Sequence, residues 1–220
     1  AMRLGNTCRV YGLDPWDAAV ARIKTKIRLY GINNVEIITG AAENIPFEDN
    51  FFDLLISNNG INNVQDIDKT LAECCRVARS GAQFIVALNL PETMNEFYSV
   101  FEVTLKEQGL ADEISKMKAH IYSKRKPLAE IEKLLKAHNF NIERIVRDSF
   151  MYRFSDGTAM LNHFLIRLAF LGSWLDVVPD SNRKEIFDKI EYKLNLIARQ
   201  AGECCLSIPF VVLDCSHRMK

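Results

Sequence analysis

An acidic residue closes the first strand-like run of this chain. Asp14 directly follows the apolar run at residues 9–13, and Pro15 comes next, at a position that suits the first turn of a helix. A carboxylate at the carboxyl end of a strand in a nucleotide-binding unit can accept hydrogen bonds from both hydroxyls of a ribose. The same residue could serve only as a helix cap, and Asp14 by itself leaves both interpretations open.

A second group of polar side chains follows another apolar run. Residues 53–57 suit a strand that is covered on both faces, and they lead into the Asn- and Gly-rich turn at residues 58–63. Ligands of open α/β sheets bind beyond the carboxyl ends of the strands, so the amides of Asn58, Asn59 and Asn62 could orient a substrate. The alternative is an ordinary turn, because Asn and Gly tolerate a positive φ.

Alternating strand and helix patterns must position these side chains. The first part of the chain predicts strands over residues 9–13, 35–39, 53–57 and 83–88, and helices over residues 16–30 and 66–79, the second ending at Gly81. This order favours an α/β fold, a doubly wound Rossmann-like sheet with right-handed crossovers.

The second part of the chain departs from that alternation. It predicts helices over residues 92–109, 127–138, 158–175 and 181–201, strands over residues 142–154 and 204–213, and a charged, irregular stretch over residues 113–126. We therefore predict a core formed by residues 1–157 and 203–220. Residues 158–202 are predicted to be a helical insertion between the last two strands.

Two segments resemble class I S-adenosylmethionine (SAM)-dependent methyltransferases of the UbiE and methyltransferase type 11 kind. Members carry Gly-Asp-Ala-Glu-x-Leu-Pro-Phe-x-Asp-x-Ser-Phe-Asp, and this chain matches that pattern at Gly40, Ala42, Glu43, Pro46, Phe47, Asp49, Phe52 and Asp53. Residues 71–77, Leu-Ala-Glu-Cys-Cys-Arg-Val, are similar to a Leu-x-Glu-x-x-Arg-Val helix of the family. The resemblance covers about residues 9–90 and implies the class I methyltransferase fold and a methyltransferase enzyme.

The resemblance also implies roles for individual residues. The implied cofactor-binding residues are Asp14 and Pro15 at the ribose, Ala41, Ala42 and Glu43 at the adenine, and Asn58 at the transfer centre. The implied substrate-facing residues are Asn59, Asn62 and His163. The alternative for His163, as for the other three histidines, is a surface or packing role. Ala41 stands where members have an aspartate that accepts from the adenine amino group, so one contact of about 1 kcal/mol is missing. We predict no catalytic base and no metal ligand, because alignment and desolvation suffice for a sulfonium donor.

The sequence contains no Gly-x-Gly, whereas members end their first strand in Gly-x-Gly-x-Gly. By the resemblance, the chain is truncated and begins after that strand and loop, and SAM binding is weak or lost. The absent strand is central in the family's order 3-2-1-4-5-7-6, so its absence would leave two interior edges unpaired. Unpaired edges favour association, and we predict a homodimer.

Composition narrows the possible partners. Lys plus Arg and Asp plus Glu number 28 each, so no global field favours nucleic acid. No stretch predicts a membrane span or a signal peptide, and the six cysteines suit reduced core residues, which predicts a cytoplasmic protein. The resemblance implies a small-molecule acceptor. Two other functions stay open: a non-catalytic dimerisation or binding module derived from a methyltransferase, and an NAD-binding Rossmann protein, since Asp14 would serve either ribose.

Overall fold

The computed structural model describes residue 5 and residues 7–218. The strands are β1 (Val10–Asp14), β2 (Val35–Thr39), β3 (Phe52–Asn58), β4 (Ala78–Asn89), β5 (Phe140–Phe154) and β6 (Cys204–His217). The helices are α1 (Asp17–Leu29), α2 (Ile67–Val77), α3 (Asn95–Glu107), α4 (Ala111–Lys124), α5 (Leu128–Ala137), α6 (Gly157–Asn162), α7 (Phe164–Ala169), α8 (Leu171–Leu175) and α9 (Arg183–Ala201), with a 3₁₀ turn at Ile61–Asn63. The predicted α/β class is confirmed.

The strands of the described residues form two sheets. One contains β1 and β2, which run parallel with Val10 opposite Val35 and Asp14 opposite Thr39. The other has the order β3-β4-β6-β5. Within the described residues, no strand lies between β1 and β3. The unpaired edges of β1 and β3 therefore belong to different sheets.

Three local predictions were wrong. The second helix does not continue to Gly81: α2 ends at Val77, β4 begins at Ala78, and Gly81 lies within β4 at φ +81°. The charged stretch at residues 113–126 is largely the helix α4, because Met117 on one face is buried while charged residues cover the exposed faces. The helix predicted over residues 158–175 is three short helices, α6 to α8.

The chain divides into two compact units. The first comprises the described residues of Ala1–Val86, Glu132–Arg144 and Leu213–Lys220, and the second comprises Ala87–Ile131 and Ile145–Val212. This division differs from the predicted core and insertion, because helices α3 and α4 group with residues 158–202. That residues 158–202 cover an acceptor site stays a prediction.

The second unit has a dense aromatic and aliphatic core. Helix α9 buries residues at four-residue spacing, Ile186, Ile190, Leu194 and Ala198. Trp174, fully buried, stacks on Phe97 with ring centroids 3.8 Å apart. Its indole Nε1 donates to the hydroxyl of Tyr98 at 3.0 Å, which satisfies the polar atom that burial removes from water.

Among the described residues, we find no helix with the length and apolar character that a membrane crossing requires.

Candidate functional site

The first unit contains a pocket of about 1060 Å³. Its lining comes from the carboxyl ends of β1 and β3, the loop after β2, and the segment that leads into α2. The volume lies just above the range of about 300–1,000 Å³ typical of small-molecule and cofactor sites. The pocket therefore lies where open α/β sheets bind their ligands.

The parallel pairing of β1 and β2 brings two predicted segments together at the pocket. Asp14 and Thr39 are opposite each other at the ends of these strands, and the amide of Gly40 donates to the carbonyl of Asp14 at 3.1 Å. Ala41 and Ala42 follow directly and line the pocket together with Asp14. The predicted ribose and adenine residues thus share one wall.

The Asp14 carboxylate also shapes the turn into α1. Its Oδ1 accepts a hydrogen bond from the amide of Trp16 at 2.8 Å. Because α1 begins at Asp17 with Trp16 at its N-cap, Asp14 stabilises the turn before the helix and is not the N-cap residue. Pro15 also lines the pocket but precedes the first helical turn, in which the sequence had placed it.

Glu43 lines the pocket while its carboxylate is occupied by backbone amides. Its Oε1 accepts from Gln65 at 2.7 Å and from Asp66 at 3.2 Å. Burial raises the pKa of Glu43, but the amides of Glu43 itself, Asp66 and Gln65 outweigh burial and hold that pKa below its usual range. Glu43 therefore ties the loop after β2 to the start of α2, as a positioning residue.

A second set of polar contacts holds the chain that continues from this loop. Arg76 donates to the carbonyl oxygens of Ile45 at 2.9 Å and Phe47 at 2.7 Å, and to the carboxylate of Asp49 at 2.9 Å. Glu73 pairs with Arg76 at 2.7 Å and accepts from the amide of Ile45 at 2.8 Å. The two segments that carry the family resemblance therefore contact each other, with α2 clamping the loop.

The Asn-rich turn is placed at the end of β3. The amides of Asn50 and Phe51 donate to the carbonyls of Arg76 and Val77 at 2.9 and 2.8 Å, so β3 and β4 begin together and run parallel. Asn58 accordingly lies at the carboxyl end of β3 and lines the pocket.

The individual residues of this turn differ. Asn59 adopts φ +55°, as the interpretation of the segment as a turn expects, and it lines the pocket. Asn63 is also a lining residue, whereas Asn62 is not among them.

The third predicted substrate-facing residue, His163, belongs to the second unit. Its Nδ1 accepts from the amide of Leu165 at 3.4 Å, so the ring caps α7. The ring also packs against Phe154 and Phe164, with centroids 5.4 and 4.8 Å away.

Sequence reasoning missed two kinds of pocket residue. Trp16, at the N-cap of α1, has a side chain that is 59% exposed and lines the pocket. Tyr11 packs edge-on against Phe47 and Phe52, with centroids 4.8 and 5.9 Å away, so that aromatic rings join β1 to the start of β3. The sequence did offer one indication that Trp16 lines the pocket, because Trp16 follows the predicted ribose-binding residue Asp14 by two positions.

The described geometry can be compared with known proteins. A family model described as a methyltransferase domain matches residues 1–86. The chain is 35% identical over 102 residues to the ubiquinone/menaquinone biosynthesis C-methyltransferase UbiE of Psychromonas ingrahamii. That match covers 44% of this chain and 41% of the relative, so the chain spans less than half the length of that relative.

Solved structures share the fold. A putative methyltransferase from Bacillus halodurans superposes with a TM-score of 0.60 at 17% identity, covering 96% of this chain and 84% of that one. A geranyl diphosphate methyltransferase in complex with SAM gives a TM-score of 0.53 at 15% identity, with 99% and 73% covered. At these identities the likeness establishes the fold. The matched domain over residues 1–86 and the curated relative make this part of the chain similar to class I SAM-dependent methyltransferases and support that family.

Proposed function

We propose that this chain binds SAM in the pocket of the first unit and belongs to an enzyme that methylates a small-molecule acceptor. The observation that carries the proposal is the convergence of Asp14, Ala41, Ala42 and Asn58 on one pocket at the carboxyl ends of β1, β2 and β3. SAM supplies a sulfonium that is itself a strong methyl donor. The protein's part is then to bind, orient and exclude water.

Each lining residue has a distinct part in this proposal. Asp14 keeps carboxylate lone pairs beyond the one used by Trp16, and a ribose hydroxyl can donate to them. Ala41 and Ala42 offer backbone groups and apolar contact to the adenine. Glu43 acts through its hold on the amides of Gln65 and Asp66, and Asn58 orients groups near the transfer centre.

The test is calorimetric titration of SAM into this chain, alone and extended upstream by whatever the gene encodes in frame. Asp14→Ala should weaken binding about tenfold, the loss of a hydrogen bond to a charged group. Ala41→Asp should strengthen it by up to about tenfold, because an acceptor for the adenine amino group is restored.

Asp53→Ala is the matched control, since Asp53 is an exposed acid of β3 outside the pocket lining. It should leave the dissociation constant of SAM unchanged. Equal losses at Asp14 and Asp53, or no binding by either form of the chain, would contradict the proposal. Tighter binding of NADH than of SAM would favour an NAD-binding protein.

A non-catalytic binding module is the second candidate, and the separation of the two sheets between β1 and β3 favours it. Binding of SAM by the extended form alone would assign the activity to the longer protein. We also propose the small-molecule acceptor, the cytoplasmic location and the homodimer that the sequence predicted. The unpaired edges of β1 and β3 support a homodimer, and sedimentation equilibrium of this chain would test it by mass.

A further inference from the structure

A cysteine and a histidine of the first unit form a close pair that the proposed methyl transfer does not use. The Sγ of Cys75, on α2, lies 3.3 Å from the Nε2 of His217, at the end of β6. Cys75 is a free, half-buried thiol, and His217 is 4% exposed. A thiol within hydrogen-bond reach of an imidazole is the arrangement that activates a cysteine as a nucleophile.

The histidine is oriented by a third group. Its Nδ1 lies 3.0 Å from the carbonyl oxygen of Arg79, and a carbonyl oxygen can only accept. The Nδ1 atom therefore carries a hydrogen, and in the neutral ring Nε2 holds the free lone pair. That lone pair faces the sulfur and can take the thiol proton.

The surroundings make the histidine necessary. Cys75 lies in the last turn of α2, where the helix dipole disfavours a negative charge. The Nδ2 of Asn139 donates toward the sulfur at 3.8 Å, a weak contact. The charged groups on neighbouring segments have partners of their own: Asp68 contacts His138 at 2.8 Å, and Glu143 accepts from Ser216 at 2.5 Å.

The other cysteines provide a contrast within the same chain. Burial raises the pKa of Cys74 and Cys215 to about 12 and that of Cys204 to about 11. Burial, followed by the hydrogen bond to Glu203, raises the pKa of Cys205. Cys75 differs from these four in having a nitrogen base against its sulfur.

We propose that Cys75 and His217 form a modification site at which a small hydroperoxide oxidises the thiol to a sulfenic acid. His217 Nε2 takes the thiol proton, and the thiolate attacks one peroxide oxygen. The S–O bond forms as the O–O bond breaks, and the leaving hydroxide, or the alkoxide of an alkyl hydroperoxide, takes the proton from the imidazolium and becomes water or an alcohol. Sulfur loses two electrons and the peroxide gains them. The partial burial of Cys75 favours a small oxidant over a bulky disulfide.

The test exposes the protein to hydrogen peroxide at pH 7 in the presence of a 1,3-dione that traps sulfenic acids, with mass spectrometry of each cysteine. Cys75 should be trapped at least tenfold faster than Cys8, which is also half-buried but has no histidine partner among the contacts of the described residues. Equal trapping rates at Cys75 and Cys8 in the wild-type protein would overturn the proposal without any variant.

The variant His217→Asn distinguishes the role of His217 as a base from its role in the fold. The asparagine can still donate to the carbonyl of Arg79, but it provides no base at the sulfur. Trapping at Cys75 should fall about tenfold at pH 7. Alkylation of Cys75 by iodoacetamide is the second readout, and it should return to the wild-type rate near pH 10, where thiols ionise without a neighbouring base. A deficit that persists at pH 10, or no deficit at pH 7, would contradict the role of His217.

Cys74 and Cys215 report whether the variant is folded, because both are buried. They should stay unlabelled in His217→Asn. If they become labelled, the variant has lost its structure, and the ratio of Cys75 to Cys8 in the wild-type protein decides the question by itself.

Discussion

The core of the second unit and the pocket of the first are held in place in different ways. In the second unit, Trp174 stacks on Phe97 in a core of fully buried side chains. In the first unit, every residue of β3 is half-buried or exposed, Ile56 is 66% exposed, and the loop after β2 is secured by Arg76, Glu73 and Glu43. Packing dominates in one unit, and directed polar contacts maintain the pocket in the other.

This difference shows what an open sheet edge requires. A strand that lacks a neighbour on one side cannot bury its apolar residues there, so contacts with fixed geometry must position the adjoining loop. The four predictions that follow test this comparison.

The largest effect is expected in the apolar core. Trp174→Ala removes a buried, stacked ring and leaves Tyr98 without its partner, so the free energy of unfolding should fall by about 3–5 kcal/mol. Urea denaturation followed by circular dichroism measures the change. Phe164→Ala is the aromatic control, since Phe164 is 72% exposed, and should cost no more than about 0.5 kcal/mol. Similar losses for both variants would refute a packing-dominated second unit.

The next effect concerns the clamp on the pocket loop. Arg76→Met removes hydrogen bonds to two carbonyls and a carboxylate, and the unfolding free energy should fall by about 2 kcal/mol. Hydrogen exchange at the amide of Ile45 should quicken, because its acceptor Glu73 loses its partner. The control is Arg79→Met, whose ion pair with Asp53 is exposed, with an expected loss below about 0.5 kcal/mol.

Helix caps should contribute equally in the two units. Asp66 accepts from the amide of Lys69 at 3.0 Å at the start of α2, and Asp156 accepts from Ala159 at 2.7 Å at the start of α6. Asp66→Ala and Asp156→Ala should each cost about 1 kcal/mol. A much larger loss for Asp66 in thermal melts would mean that the cap also supports the hydrogen bond from the amide of Asp66 itself to Glu43.

The smallest effect is a dependence on pH that originates in the first unit. Backbone amides lower the pKa of Glu43 against the effect of burial, and the hydrogen bond from Arg76 lowers that of Glu73. A carboxyl with a lowered folded pKa stabilises the protein above its unfolded pKa, and the contribution is lost as pH falls through the folded pKa. The free energy of unfolding should therefore decline below about pH 5, and the double variant Glu43→Gln, Glu73→Gln should decline less steeply. If the unfolding free energies of the wild type and the double variant decline equally steeply with falling pH, these two carboxyls do not contribute to the pH dependence of stability.

The sequence predicted most of the strands, and for a physical reason. The strand predicted over residues 35–39 is β2 with the same bounds. It was predictable because a short apolar run between two polar turns has few other ways to bury its side chains. The helix α4 was missed because five of its fourteen residues are charged and its one fully buried apolar residue, Met117, depends on tertiary packing.

The candidate site was predicted in part. Asp14, Ala41 and Asn58 follow from strand ends, and strand ends are visible in a sequence pattern. The use of Glu43 as a tether was not visible, because the amides that occupy its carboxylate belong to residues 22 and 23 positions further along the chain. Such a pairing depends on how the loop and α2 meet in space.

The chain's two tryptophans lie one in each unit, Trp174 buried against Phe97 and Trp16 largely exposed at the pocket. An indole in an apolar core emits at shorter wavelength than one in water, so the fluorescence spectrum of the native protein should be the sum of a blue and a red component. Loss of the blue component reports disruption around Trp174. A change confined to the red component reports an event at the pocket, which gives each unit its own intrinsic optical probe.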